Sequence, residues 1–177
     1  LHFACQEGHD DAARLLLEKG AGVDPARKDG TTPLLIACQN GHLAAVLLLL
    51  DNGAEVDRAT EDGRTPLFIA CAAGHVDPAR LLLKKGADVN RADKYGVTPL
   101  SIACYKGQIN VARLLLERKA DVNRASEDGV TSLFIACQNG HVDVVRLLLA
   151  KGAAVDRTEK NGWTPLYAAC QNGHVDA

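Results

Sequence analysis

Residues 60–92 read TEDGRTPLFIACAAGHVDPARLLLKKGADVNRA. The stretch spells two short helices and a turn. Thr65 is placed to cap the first helix, its hydroxyl accepting from an orphan backbone N–H, and Pro66 suits the first helical position, where no N–H is needed. Leu67, Ile69, Ala70 and Cys71 give that helix a small apolar face. Gly74 stops it, as a residue that tolerates positive φ. Asp77 is the candidate cap of the second helix, with Pro78 at its first position. Ala79, Leu81, Leu82 and Leu83 supply the second apolar face, and Gly86 ends it. From Ala87 to Gly96 the chain is polar, with Asn90, Asp93 and Gly96 as turn residues. Neither helix exceeds about ten residues, and helices that short are marginal alone in water. One pair cannot bury its leucine triplet, whereas stacked pairs cover one another.

The rest of the chain keeps the same period. Cysteines stand at 5, 38, 71, 104, 137 and 170, each 33 residues from the next. Thr-Pro-Leu recurs at 32–34, 65–67, 98–100 and 164–166, with Thr131-Ser132-Leu133 as a variant. Gly-His recurs at 8–9, 41–42, 74–75, 140–141 and 173–174, and Gly107-Gln108 breaks that run. Whole repeats fill 27–59, 60–92, 93–125 and 126–158, flanked by partial ones at 1–26 and 159–177. The expectation is one continuous all-α array over 1–177 with no internal linker. It opens and closes within a repeat and holds no Met, so a fragment of a longer protein is expected.

The period, the Thr-Pro-Leu-x-x-Ala opening, the Gly-His turn, the leucine triplet and the Gly-Ala-x-Val-Asp/Asn ending resemble the ankyrin repeat. The resemblance covers nearly every residue. It implies a solenoid of stacked helix-turn-helix pairs with β-hairpin-like loops. It also implies a concave binding face made by those loops and the first helices. Departures stand out: only His2 keeps the histidine that often follows Thr-Pro-Leu in the family, and Lys119 replaces a helix-ending glycine. Resemblance further implies Asn90 and Asn123, in Ala-Asp-Val-Asn, as targets of an asparaginyl hydroxylase if the host makes one; turn residues are the alternative.

Net charge is −2 and the isoelectric point about 6.3, so global electrostatics favour neither nucleic acid nor an anionic membrane. The longest apolar run, Leu43 to Leu50, is far short of the roughly 20 residues that span a bilayer. Equivalent places in stacked helices lie about 8–10 Å apart, too far for the Cα separation below about 7 Å that a disulfide needs. Six free thiols point to a reducing compartment, cytoplasmic or nuclear.

Catalysis and metal binding find no foothold. Zinc ligands stand a few residues apart within a knuckle, whereas here both Cys and His recur at 33 residues. An active site is singular, and any Cys–His pair would be copied along the array. No nucleophile elbow, metalloprotease helix, phosphate loop or dinucleotide fingerprint appears. The expectation is no enzyme, no cofactor and no metal. An arginine column (Arg58, Arg91, Arg124, Arg157) could meet phosphates or an acidic peptide. The alternative is internal pairing with Asp57, Glu61, Asp93 and Glu127.

Comparing copies separates framework from freedom. Places that recur serve stacking; places that vary are free to drift or to bind. The varying places fall in the loop before Thr-Pro-Leu and on the first helix. Scarce aromatics gather there, and Tyr and Trp are favoured interface anchors. The candidate partner-binding residues are Arg64, Phe68, Tyr95, Val97, Ser101, Tyr105, Lys106, Val130, Phe134, Gln138, Asn139 and Trp163, centred on the divergent repeat at 93–125. Half-buried spacers are the alternative for Phe68 and Phe134. The expected function is a non-catalytic protein–protein interaction module that holds a protein or peptide in its groove and loop tips. A regulatory or targeting segment of a larger enzyme, or a structural spacer, stays open. A monomer is expected, with end-to-end stacking as an alternative.

Overall fold

Threonines set the starts of five helices, and four of the five are buried. In the computed structural model, which describes residues 1–174, the described residues form eleven helices and no strand beyond one isolated antiparallel bridge, Ala125 with Thr131. The Oγ1 of Thr32, Thr65, Thr98, Thr131 and Thr164 accepts the N–H of Leu35, Phe68, Ser101, Phe134 and Tyr167, at 3.1–3.3 Å. Each such cap is worth about 1 kcal/mol. Proline follows the threonine except at Ser132.

The helices gather into two compact units, Leu1–Asp88 and Val89–Ala177. The first unit holds α1 (His2–Glu7), α2 (Asp10–Glu18), α3 (Pro33–Asn40), α4 (Leu43–Asp51), α5 (Pro66–Ala73) and α6 (Val76–Lys84). The second holds α7 (Pro99–Tyr105), α8 (Ile109–Glu117), α9 (Ser132–Gln138), α10 (Val142–Ala150) and α11 (Pro165–Gln171). In the first unit, α1, α3 and α5 stack in one layer and α2, α4 and α6 in another. The second unit repeats this with α7, α9 and α11 over α8 and α10. The core lies between the layers. Leu34, Leu67 and Leu100 of the first helices and Leu49, Leu82, Leu115 and Leu148, the middle leucines of the triplets, are fully buried.

Hydrogen bonds then tie each repeat to the next. Asp24 Oδ2 accepts the Glu55 N–H at 2.8 Å, and Asp57 Oδ2 the Asp88 N–H at 3.1 Å. In the second unit Asn90 Oδ1 accepts from Asp121 N at 2.9 Å and Asn123 Oδ1 from Ala154 N at 2.8 Å. Histidine rings do the same at the other end of the helix pair. The Nε2–H of His42 donates to the Gln6 carbonyl, that of His75 to Gln39 and that of His141 to Tyr105, at 3.0–3.1 Å. The glycine of the preceding copy makes room for the ring. A Cβ at Gly41 would stand 2.7 Å from the His75 ring, and its φ of 74° also favours glycine.

Three expectations need correction. Asp77 does not cap the second helix of its repeat: α6 starts at Val76 with His75 as N-cap, and the His75 carbonyl takes the Ala79 N–H at 3.1 Å. Asp77 sits instead in the first turn, where its charge suits the helix dipole. The Gly-His histidines do not serve only their own turn, and neither do Asn90 and Asn123 or their equivalents Asp24 and Asp57, because their polar atoms reach into the neighbouring copy. Among the arginines, Arg58 pairs with Glu55 at 3.6 Å rather than with Asp57, and Arg157 donates to the Asn123 carbonyl at 2.7 Å.

Two substitutions should stabilise the chain. Lys119 has φ 63°, the only positive value outside glycine among the described residues, where Gly20, Gly53, Gly86 and Gly152 stand in other copies. Lys119→Gly should therefore add about 0.5–1 kcal/mol. At Asp57 the second carboxylate oxygen is buried without a hydrogen-bond partner, whereas Asn123 in the same register donates its Nδ2 to the Gly152 carbonyl at 3.2 Å. Asp57→Asn supplies that missing donor and should add about 1 kcal/mol. Urea midpoints check both, and a fall in either contradicts its explanation.

Candidate partner-binding face

A side chain at one register holds four of the five loop tips; in the first, Asp29 Oδ1 accepts the Thr31 N–H at 2.9 Å instead. Thr60 Oγ1 accepts the Arg64 N–H at 3.2 Å. Asp93 Oδ1 accepts from Tyr95 N and Val97 N at 2.9 and 3.0 Å. Ser126 Oγ takes the Val130 N–H at 3.3 Å. Glu159 Oε1 takes the N–H of Asn161 and Trp163 at 2.8 and 3.1 Å. Four different residue types thus do one job, which presents the residues two and four places on. Neighbouring tips join through backbone: Glu127 N to Tyr95 O at 3.2 Å, and Lys160 N to Asp128 O at 2.9 Å.

In the second unit the exposed aromatics stand on this frame. Tyr95 and Tyr105 project into solvent, each with the ammonium of a neighbour, Lys94 or Lys106, over its ring at 5.1 and 5.2 Å. The His141 ring fixes the Tyr105 carbonyl from below. Trp163 is exposed and lies against Tyr167, ring centres 5.1 Å apart. Val130, Phe134, Gln138 and Trp163 line one open cleft of about 500 Å³. The Asp128–Lys160 ion pair, at 2.8 Å, closes its rim and raises the Lys160 pKa through that hydrogen bond. Val97 and Lys106 flank the tyrosines, half-buried and exposed respectively. In the first unit a cleft of about 490 Å³ is lined by Arg64 together with Ile69, Ala72 and Ala73. The Arg64 guanidinium lies 6.0 Å from the Phe68 ring centre.

Three candidates lie beneath the surface. Phe68, Ser101 and Phe134 are 5%, 3% and 4% exposed, so they pack the floor rather than reach a partner directly. Their register follows the threonine cap by three residues, which turns the side chain into the stack. Ser101 joins a buried hydroxyl network: its Oγ lies 2.9 Å from Thr98 Oγ1 and 3.2 Å from Ser132 Oγ. The two departures from the repeat pattern, Ser101 and Ser132, therefore satisfy each other. Asn139 is occupied as well, donating its Nδ2 to the Ile135 carbonyl at 2.8 Å. Asn90 and Asn123 use their side chains to hold the next repeat. Ile69 and Glu159 escaped sequence reasoning, Ile69 because it reads as core and Glu159 because its register shows no shared residue type.

The thiols contribute packing, not chemistry. All six cysteines are free, and all but Cys170 are buried. Burial pushes the thiol of Cys5 up to about 11 and that of Cys104 to about 12, and raises Cys38, Cys71 and Cys137 above the ordinary value. A thiolate is the reactive form, so these groups are inert near neutral pH. Among the described residues no cluster of His, Cys, Asp and Glu could hold a metal ion, and no helix is long and apolar enough to cross a membrane.

The framework these residues serve is the one expected from the repeat pattern. A family model described as ankyrin repeats (3 copies) matches residues 1–60, 55–126 and 121–177. The chain belongs to the ankyrin repeat family, whose members generally serve as protein–protein interaction modules and are typically non-catalytic. No curated protein matches the chain. A thiol-specific reagent at neutral pH should label Cys170 quickly and the five buried cysteines only on unfolding, as read by peptide mass spectrometry. Rapid labelling of Cys38 or Cys71 in the folded chain would contradict the packing described.

Proposed function

We propose that the chain is a non-catalytic module that binds a protein or peptide across its loop tips and first helices, with Tyr95, Tyr105 and Trp163 as anchors. Val97, Val130, Gln138 and Lys106 complete the contact in the second unit, with Ser101 and Phe134 beneath it. In the first unit Arg64, with Phe68 beside it, belongs to a cleft of its own. The observation that carries this reading is the placement of the aromatics. The framework does not need Tyr95, Tyr105 or Trp163, since other copies carry Asp, Gln or Val there. Yet all three rings stand exposed on hydrogen-bonded loops or helix ends.

Rigid aromatics on an ordered frame lose little conformational entropy on binding, which favours affinity from few contacts. The free thiols fit work in a reducing compartment, cytosol or nucleus. The test is affinity capture from the source lysate, followed by titration of the captured partner against Tyr95→Ala/Tyr105→Ala. Anchors of this type carry about 1.4 kcal/mol or more, so affinity should fall at least about tenfold. Unchanged affinity would place the interface elsewhere.

A further inference from the structure

The second helices offer a separate surface. Four of the five carry a polar pair at two outward places: Asp11 and Arg14, Asp77 and Arg80, Asn110 and Arg113, Asp143 and Arg146. In α4 the same places hold Ala44 and Leu47. Leu47 is 43% exposed and Leu43, one turn earlier, 41%. Stacking does not require Ala44 or Leu47, because the other copies place an acid or amide and an arginine there; the Leu43 place is apolar in three of the other four copies. An open groove of about 280 Å³ runs between α4 and α6, lined by Leu43, Leu47 and Leu81 with Asp77, Arg80 and Lys84 along one wall.

The charge of that wall narrows the occupant. Elsewhere in the first unit Lys85 pairs with Asp51 at 2.8 Å and Arg58 with Glu55 at 3.6 Å. Arg80 and Lys84 line the groove beside a single acid, Asp77, and neither makes an ion pair among the described residues. A groove between two adjacent helices accepts the side-chain ridge of a third. Its apolar floor asks for residues spaced i, i+4, and its cationic wall for acids on one flank of the same helix. A second copy would bring Arg80 and Lys84 against their own likeness. Three partly exposed leucines also fall well short of the roughly 800 Å² per partner that stable interfaces bury.

We propose that the α4–α6 groove is a second docking site, independent of the loop-tip face, for a short amphipathic helix of a protein partner whose apolar edge seats on Leu43, Leu47 and Leu81 and whose acidic flank faces Arg80 and Lys84. The apolar contact holds the helix, and the charges fix which way it lies. Docking here leaves the loop tips free, so one chain bridges two partners.

The probe is a pair of lactam-stapled helical peptides with leucine at i, i+4, one carrying glutamates along a flank and the other lysines. The expected result is saturable binding of the glutamate peptide, with amide shifts confined to α4 and α6. Binding of the lysine peptide should be at least about tenfold weaker. Leu47→Arg installs the residue the other copies carry, so it should fold, bind the loop-tip partner unchanged and lose the glutamate peptide by about tenfold or more. Arg80→Glu/Lys84→Glu should exchange the preference between the two peptides. No binding of either peptide, binding that survives Leu47→Arg, or indifference to flank charge would each overturn the proposal. So would concentration-dependent association of the chain itself that Leu47→Arg abolishes, since that makes a second copy the occupant.

Discussion

Each repeat leaves backbone N–H groups that its neighbour satisfies, and this dependence governs the rest of the structure. The amides of Glu55, Asp88, Asp121 and Ala154 find acceptors in Asp24, Asp57, Asn90 and Asn123 of the preceding copy. Histidines return the service from the other end, donating to the carbonyls of Gln6, Gln39 and Tyr105. Short helices gain little by themselves. What holds them is apolar burial between two layers, with these bonds setting the register in which the layers meet. A net hydrogen bond is worth about 1 kcal/mol, and these inter-repeat bonds lie among exposed residues, so they set the register more than they add stability.

That division of labour explains where function has room. Residues at the 33-residue beat are committed to a neighbour. The loop tips are free in identity because backbone bonds and one side-chain acceptor, supplied by Asp29, Thr60, Asp93, Ser126 or Glu159, set their shape. The same logic frees the outward places of the second helices, where α4 replaces the usual polar pair by Ala44 and Leu47. Both surfaces draw on variation that the stack tolerates.

Much of this was legible in the sequence. Threonine caps, proline directly after the capping threonine, glycine after every described helix but α8 and the buried cysteine column follow from residue type and spacing, because each acts within a turn or along one helix face; Pro78, read as a first position, falls third in α6. The direction of the longer reaches was not. Periodicity says that His75 and Asp57 recur but not whether they bond within their copy or across to the next. Asp77 reads as a cap by type, yet His75 takes that role by position. Variation at Phe68, Ser101 and Phe134 reads as freedom, yet the register turns all three inward. Variation marks absence of a shared identity, which a buried place can also have when its neighbour covaries, as Ser132 does with Ser101.

The decisive measurement is amide hydrogen exchange in Asn123→Ala. If copies hold one another, removing this side chain should release the Ala154 amide one repeat away and raise exchange at the loop it anchors. Exchange that changes only around residue 123 itself, with Ala154 still protected, would show that each repeat stands alone and would contradict the account.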